Sequence, residues 1–146
     1  MEDTPKICIC IQSEPIDETN FMTQQNVHSG AFISFLGKTR HEHHKVHGDL
    51  AGLHYTAHTE LAEETLRSIA KNAVSKYRCH QVTICHRLGM VPVGESSVAV
   101  AVSAQHRASA LKATEEIMNQ LKVKVPIWKE EHWTSGKTWS EGTPIT

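Results

Sequence analysis

The sequence has no excess of either charge: 15 lysines and arginines stand against 16 aspartates and glutamates, a net charge of −1 with the histidines neutral. A strongly basic chain, the usual footprint of a nucleic-acid binder, is excluded, although a local basic patch can hide within a neutral total. Aromatic residues make up only 5% of the chain, and they are not interleaved with basic ones as a nucleic-acid surface requires. No apolar run approaches the ~20 residues of a membrane span. The longest, Val98–Val102 with Ala104 beyond Ser103, falls far short. The first residues, Met1-Glu2-Asp3-Thr4-Pro5-Lys6, lack both the basic flank and the apolar segment of a secretory signal. A soluble, cytoplasmic protein is expected, with no nucleic acid and no membrane among its partners.

The four cysteines, Cys8, Cys10, Cys79 and Cys85, form no C-x-x-C pair. Cys8 and Cys10 lie two apart in an expected strand and point the same way, a poor geometry for a mutual disulfide. The cysteines read as small buried hydrophobes in a reducing compartment rather than as a zinc site. Histidine, by contrast, is abundant: 11 in all, with His41, His43, His44 and His47 in one short stretch. A His-rich tract can bind zinc or nickel. This one falls between two expected strands and reads as a solvated loop, which supplies neither fixed ligands nor a supporting shell. No metal site is expected.

At 146 residues the chain has the size of one domain and can bury a real core. It reads as a single domain over 1–146, with its core at about 5–133 and a loose polar tail over 134–146. Lys6–Gln12 alternates as a strand. Pro15–Val27 is expected to hold a short helix. Gly30–Gly37 is a glycine-bounded strand, and Val46–Ala57 its partner across the His-rich loop. Thr59–Tyr77 is the clearest helix, with Ala62, Leu66, Ile69, Ala70, Ala73 and Tyr77 at helical spacing. His80–Leu88 alternates as a strand, Gly89–Gly94 is expected to turn, and Ser97–Ala104 reads as a strand buried on both faces. Ala108–Lys122 is a second helix stopped before Pro126, and Ile127–Trp133 a last strand. Adjacent strands mixed with helices argue for an α+β fold.

Several basic groups fall at the ends of these elements: Lys38-Thr39-Arg40, His106-Arg107, Lys122 and Lys129. Each has a bland reading. His106 and Arg107 can cap a strand–helix junction, although a cation opposes the dipole there. Lys122 can complement the dipole at a helix end. Met118, one turn earlier on the same face, can be a stem packed over the core. Lys129 can be one surface position of an edge strand. Together they are compatible with an anion site in a semi-enclosed cleft, and spacing goes no further.

The motifs add more. Gly30–Arg40, His86-Arg87-Leu88-Gly89, Ser103-Ala104-Gln105-His106-Arg107 and Leu121–Glu130 resemble, in order, the MoaE family of large, catalytic molybdopterin synthase subunits. The similarity runs from about residue 5 to residue 133. The resemblance implies an α/β-hammerhead-type α+β domain with a mixed, largely antiparallel sheet and packed helices. It implies an enzyme of molybdenum cofactor biosynthesis, a sulfurtransferase that makes the dithiolene of molybdopterin from cyclic pyranopterin monophosphate. The sulfur would come from the thiocarboxylated C-terminal Gly-Gly of a small ubiquitin-like (MoaD-like) subunit, within a heterotetramer built on a central homodimer. No cofactor is implied. By the same resemblance Lys122 and Lys129 are the catalytic pair. Lys38, Thr39, Arg40, His106, Arg107, Glu130 and Glu131 join them around the pterin phosphate, with His106 and Arg107 reaching across the dimer. Phe35 and Met118 line the channel for the incoming tail. A basic C-terminal segment associated with some bacterial members is absent, and the His41–His47 stretch has no counterpart in the pattern.

Overall fold

The computed structural model describes residues 4–23 and 26–140. Two sheets and two helices make up an α+β fold. The first sheet has the order β1-β5-β7-β2, from β1 (Lys6–Gln12), β2 (Ala31–Lys38), β5 (Cys79–Arg87) and β7 (Ser96–Ala104). β1 pairs parallel to β5, while β5–β7 and β7–β2 are antiparallel. The second sheet runs β3-β4-β8-β9, from β3 (His43–His44), β4 (Gly48–Ala57), β8 (Ile127–Trp133) and β9 (Gly136–Trp139), and β6 (Gly89–Pro92) pairs with β4 beside it.

Every residue of β7 is buried, as its unbroken apolar run predicts. Val98, Val100, Val102 and Ala104 face the main core under α1 (Thr59–Tyr77) and α2 (Arg107–Lys124). Ala99 and Ala101 face a second, smaller cluster closed by Ile16 and Phe21. The helices lock to each other at one corner, where Glu116 accepts hydrogen bonds from Lys76 Nζ at 2.7 Å and Tyr77 Oη at 3.1 Å. α1 spans the predicted residues. Its N-terminus is capped by His58, whose Nδ1 accepts from the Leu61 amide at 3.2 Å. It ends on Arg78, in the left-handed region at φ 54°. A β-carbon is disfavoured there. Arg78→Gly is therefore expected to raise stability by about 0.5–1 kcal/mol, read as a higher thermal midpoint.

Five expectations are corrected. The strand within Val46–Ala57 does not partner that within Gly30–Gly37: the apolar β7 takes the edge of β2, and β4 lies in the second sheet against β3, β6 and β8. Within Pro15–Val27 the helix shrinks to one 3-10 turn, Glu18–Phe21, because Ile16 and Phe21 are drawn down into the small cluster. The expected turn after Gly89 is strand β6, with Met90 opposite His54 and Val91 opposite Leu53. Residues 136–139 of the expected loose tail form β9, in a hairpin closed by Thr134 and Ser135. Trp133 Nε1 donates to Thr138 Oγ1 at 2.8 Å, and Thr138 donates to Glu131 at 2.8 Å. Residues 141–146 lie outside the described part. The His-rich stretch is not a free loop: it carries β3, and its rings have neighbours. His44 Nδ1 accepts from the amides of Val46 and His47, and the His44 ring lies 4.6 Å from that of His47 and 5.2 Å from that of Trp133. His43 and His41 share the carboxylate of Asp49, at 2.9 and 3.4 Å. A β-carbon on Gly136 would strike the His47 ring, so the hairpin's return strand needs its glycine.

Candidate active site

Where α2 ends, the chain turns through Val125 and Pro126 into β8, and this turn closes one side of a cavity of about 810 Å³. Lys122 comes to it from the last turn of α2 and Lys129 from β8. Lys38 and Arg40 enter from the end of β2 and the segment beyond it. Glu42 and Glu131 supply the carboxylates of the wall. Arg40 pairs with Glu42 at 3.5 Å, and Lys38 is held at 3.5 Å by Glu18 of the 3-10 turn. Hydrogen bonds from Ser96 and attraction from Lys38 keep the Glu18 carboxyl below its usual range. Neither Lys122 nor Lys129 has a carboxylate partner among the described residues. Two uncompensated cations thus face one concavity, an arrangement that attracts an anion. Much of the remaining wall is apolar, with Phe35, Val98, Met118, Leu121, Val123 and Val125. The cavity therefore combines cationic side chains with an apolar lining.

Strand alternation sorts the remaining candidates. Lys129 and Glu131 share the cavity face of β8. Glu130 points to the other face, where it accepts from His132 Nε2 at 2.6 Å, and the His132 ring stacks on His54. Thr39 is buried, off the cavity wall. Its amide donates to the Glu95 carbonyl at 3.0 Å and its carbonyl accepts from the amide of Gly94 at 2.7 Å, in a turn where Gly94 adopts φ 90°. Its hydroxyl has no hydrogen-bond partner. His106 and Arg107 are exposed at the far end of α2. Fifteen residues separate Arg107 from Lys122, about 22 Å along the axis at 1.5 Å per residue. Within one chain these two residues and the two lysines do not meet. α2 has no acidic residue in its first turn, and His106 makes no side-chain cap, so its N-terminus keeps free donors beside two basic side chains.

Two cavity residues escape the sequence reading of candidates. Tyr55 of β4 is directly opposite Lys129 in register, and burial raises its hydroxyl above the usual range. His86 of β5 meets the Tyr55 ring edge-on, centroids 5.0 Å apart. Burial pushes the His86 imidazole down to about 4, and the nearby positive charge of Lys129 adds to the shift. The signal for His86 was present in its motif block, but a histidine on an apolar strand face reads as core. Of the four cysteines expected to be buried, Cys8 is exposed and Cys10 half-buried, on the edge strand β1; Cys79 and Cys85 are buried, which pushes their thiols up to about 11 and about 12 and leaves them inert at neutral pH. Among the described residues no group of three His, Cys, Asp or Glu is placed to hold a metal, and no helix is long and apolar enough to cross a membrane.

Known proteins are similar to this chain in sequence and in fold. The chain is 42% identical over 130 residues to the molybdopterin synthase catalytic subunit of Aspergillus niger, covering 88% of this chain and 71% of that protein. It is 41% identical over 115 residues to the Arabidopsis thaliana molybdopterin synthase catalytic subunit, covering 79% of this chain but only 57% of the plant protein. Among solved structures, molybdopterin synthase from Staphylococcus aureus superposes with a TM-score of 0.79 at 32% identity, over 92% of this chain and 95% of the bacterial one. A complex of subunits 1 and 2 of molybdopterin-converting factor from Helicobacter pylori contains the same fold, with a TM-score of 0.72 at 20% identity over 92% of this chain and 90% of that one. The family model described as MoaE protein matches residues 11–124, which include the cavity's Lys38, Arg40 and Lys122. By sequence and by fold, the chain belongs to the MoaE family.

Proposed function

We propose that this protein is the catalytic subunit of a molybdopterin synthase, a sulfurtransferase of molybdenum cofactor biosynthesis. It moves sulfur from the C-terminal thiocarboxylate of a small ubiquitin-like subunit onto cyclic pyranopterin monophosphate, forming the dithiolene. The observation that carries the reading is the cavity, which Lys122 and Lys129 line without a carboxylate partner among the described residues, beside Lys38, Arg40 and an apolar wall. An extended glycine-ended tail suits the apolar wall that includes Phe35 and Met118. A pterin bearing a phosphate suits Lys38 and Arg40 as charge-assisted donors. The thiocarboxylate sulfur bonds to a side-chain carbon of the pterin as a C–O bond at that carbon breaks, the departing oxygen taking up a proton, and the tail is left joined through an acyl–sulfur link; a second thiocarboxylate repeats the exchange at the neighbouring carbon. Hydrolysis of that link passes through an oxyanion, frees the carboxylate of the tail and leaves the sulfur on the pterin. Lys122, which lines the cavity, would donate to that oxyanion. The test is a single turnover with thiocarboxylated small subunit and the cyclic pterin, reading the dithiolene by mass spectrometry of its oxidised form. A stable complex that yields no product would instead make the protein a binding scaffold.

His106 and Arg107 fit the reading only through a second copy of the chain, since they lie about 22 Å along α2 from their own Lys122. In a homodimer they would complete the partner's phosphate site. Arg107→Ala is expected to raise the pterin KM about tenfold, the loss of one charge-assisted contact. Mixing inactive Lys122→Ala with Arg107→Ala chains at low pterin is expected to restore up to about a quarter of the intact sites by random exchange. No recovery after verified exchange would place both residues in one chain's site and remove the crossing.

A further inference from the structure

His86 is 4% exposed, at the end of β5 where that strand meets the cavity. Its Nδ1 lies 2.9 Å from the backbone carbonyl oxygen of Arg87. A carbonyl only accepts, so Nδ1 carries the hydrogen. Burial keeps the ring neutral at working pH. In a neutral imidazole with Nδ1 protonated, Nε2 is a bare lone pair, an acceptor and nothing else. The Arg87 contact engages Nδ1 alone. The ring rests against Tyr55, and Tyr55 stands opposite Lys129 in the β4–β8 register. All three line the cavity. A neutral acceptor beside Lys129 has a use that a carboxylate lacks. It fixes the direction of the ammonium without cancelling the charge that draws the anionic substrate.

We propose that His86 is a positioning residue for Lys129, its Nε2 lone pair accepting from the ammonium and holding it toward the reacting end of the cavity. The proposal rests on the sulfur-transfer reading. Misplacement of a catalytic group costs on the order of 10- to 100-fold in rate. His86→Phe, which keeps the bulk and removes the acceptor, is expected to lower kcat by that factor, with KM for the pterin and the thermal midpoint little changed. His86→Gln, which returns an amide oxygen near the place of Nε2, is expected to recover most of the loss. An activity-independent readout comes from 15N-histidine labelling. In Lys129→Ala the His86 Nε2 resonance is expected to move downfield, toward a free unprotonated nitrogen. This measurement needs no His86 variant to fold. An unmoved Nε2 resonance, or full activity in a folded His86→Phe, would overturn the proposal. A wild-type protein that yields no product would instead overturn the sulfur-transfer reading beneath it, so the two failures are distinct.

Discussion

Lys122→Ala is expected to lose product formation by on the order of 10³-fold, about 4 kcal/mol of transition-state stabilisation. The size follows from position. Lys122 lines the cavity from the last turn of α2 and has no carboxylate partner among the described residues, so its charge is left for the reacting group. The fold barely depends on it. The side chain is exposed, and its favourable place at a helix C-terminus contributes at most about 1 kcal/mol, shared with Lys124. The thermal midpoint and the complex with the small subunit on size exclusion should therefore survive. Lys122→Arg keeps the charge but spreads it over a planar fork, and an intermediate rate is expected. An unfolded Lys122→Ala protein would show the lysine to be a structural group at the helix end. A folded one with wild-type turnover would remove it from the chemistry.

Acid should weaken the fold over a window set by His86. The imidazole titrates near 6.5 in an unfolded chain and at about 4 in the native one, held down first by burial and then by Lys129. Between those values the unfolded state binds the extra proton, so stability falls as pH falls. The contribution of the neutral ring is fully present above 6.5 and is lost by about pH 4. The gap corresponds to roughly 3 kcal/mol, a large share of a small domain's stability. Urea unfolding at stepped pH is the measurement. The wild-type midpoint should drop between pH 7 and pH 4.5, and His86→Gln should show a flatter profile over the same range. Carboxylates held low, those of Glu18, Asp49 and Glu116, weaken the fold only at more acid pH. Equal slopes in the two proteins would mean that His86 does not control the acid limb.

What the sequence made legible follows from how local each signal is. α1 was readable to its ends because one stripe of alanine, leucine and isoleucine repeats at helical spacing, and β7 because an unbroken apolar run can sit only between two packed layers. The misses share a cause. β6 is bounded by Gly89 and Pro92, which locally signal a turn, and its strand character comes from pairing with β4, some forty residues earlier. β9 is polar, and Trp133, Thr138 and Glu131 fix it across the hairpin. The 15–27 segment carries helix-like polar spacing, but Ile16 and Phe21 gain more by filling the small cluster. At the site, Lys38, Arg40, Lys122 and Lys129 were found through motif blocks, and their convergence is a product of topology. His86 owes its state to Tyr55 and Lys129, which lie on other strands.

The order of the first sheet bears on how the chain is made. β1 and β2 are synthesised first, yet they occupy opposite edges of that sheet, and both lean on β5 and β7 in its middle. A ribosome that has released only the first sixty residues has produced two strands with no partner. The pairing edge of β1 stays open until β5 is made, to Arg87, and that of β2 until β7 is made, to Ala104. Open edges pair with whatever strand is nearest, including that of a neighbouring nascent chain. Translation speed across residues 79–104, rather than the stability of the finished domain, would then govern how much of this protein reaches the cell in usable form.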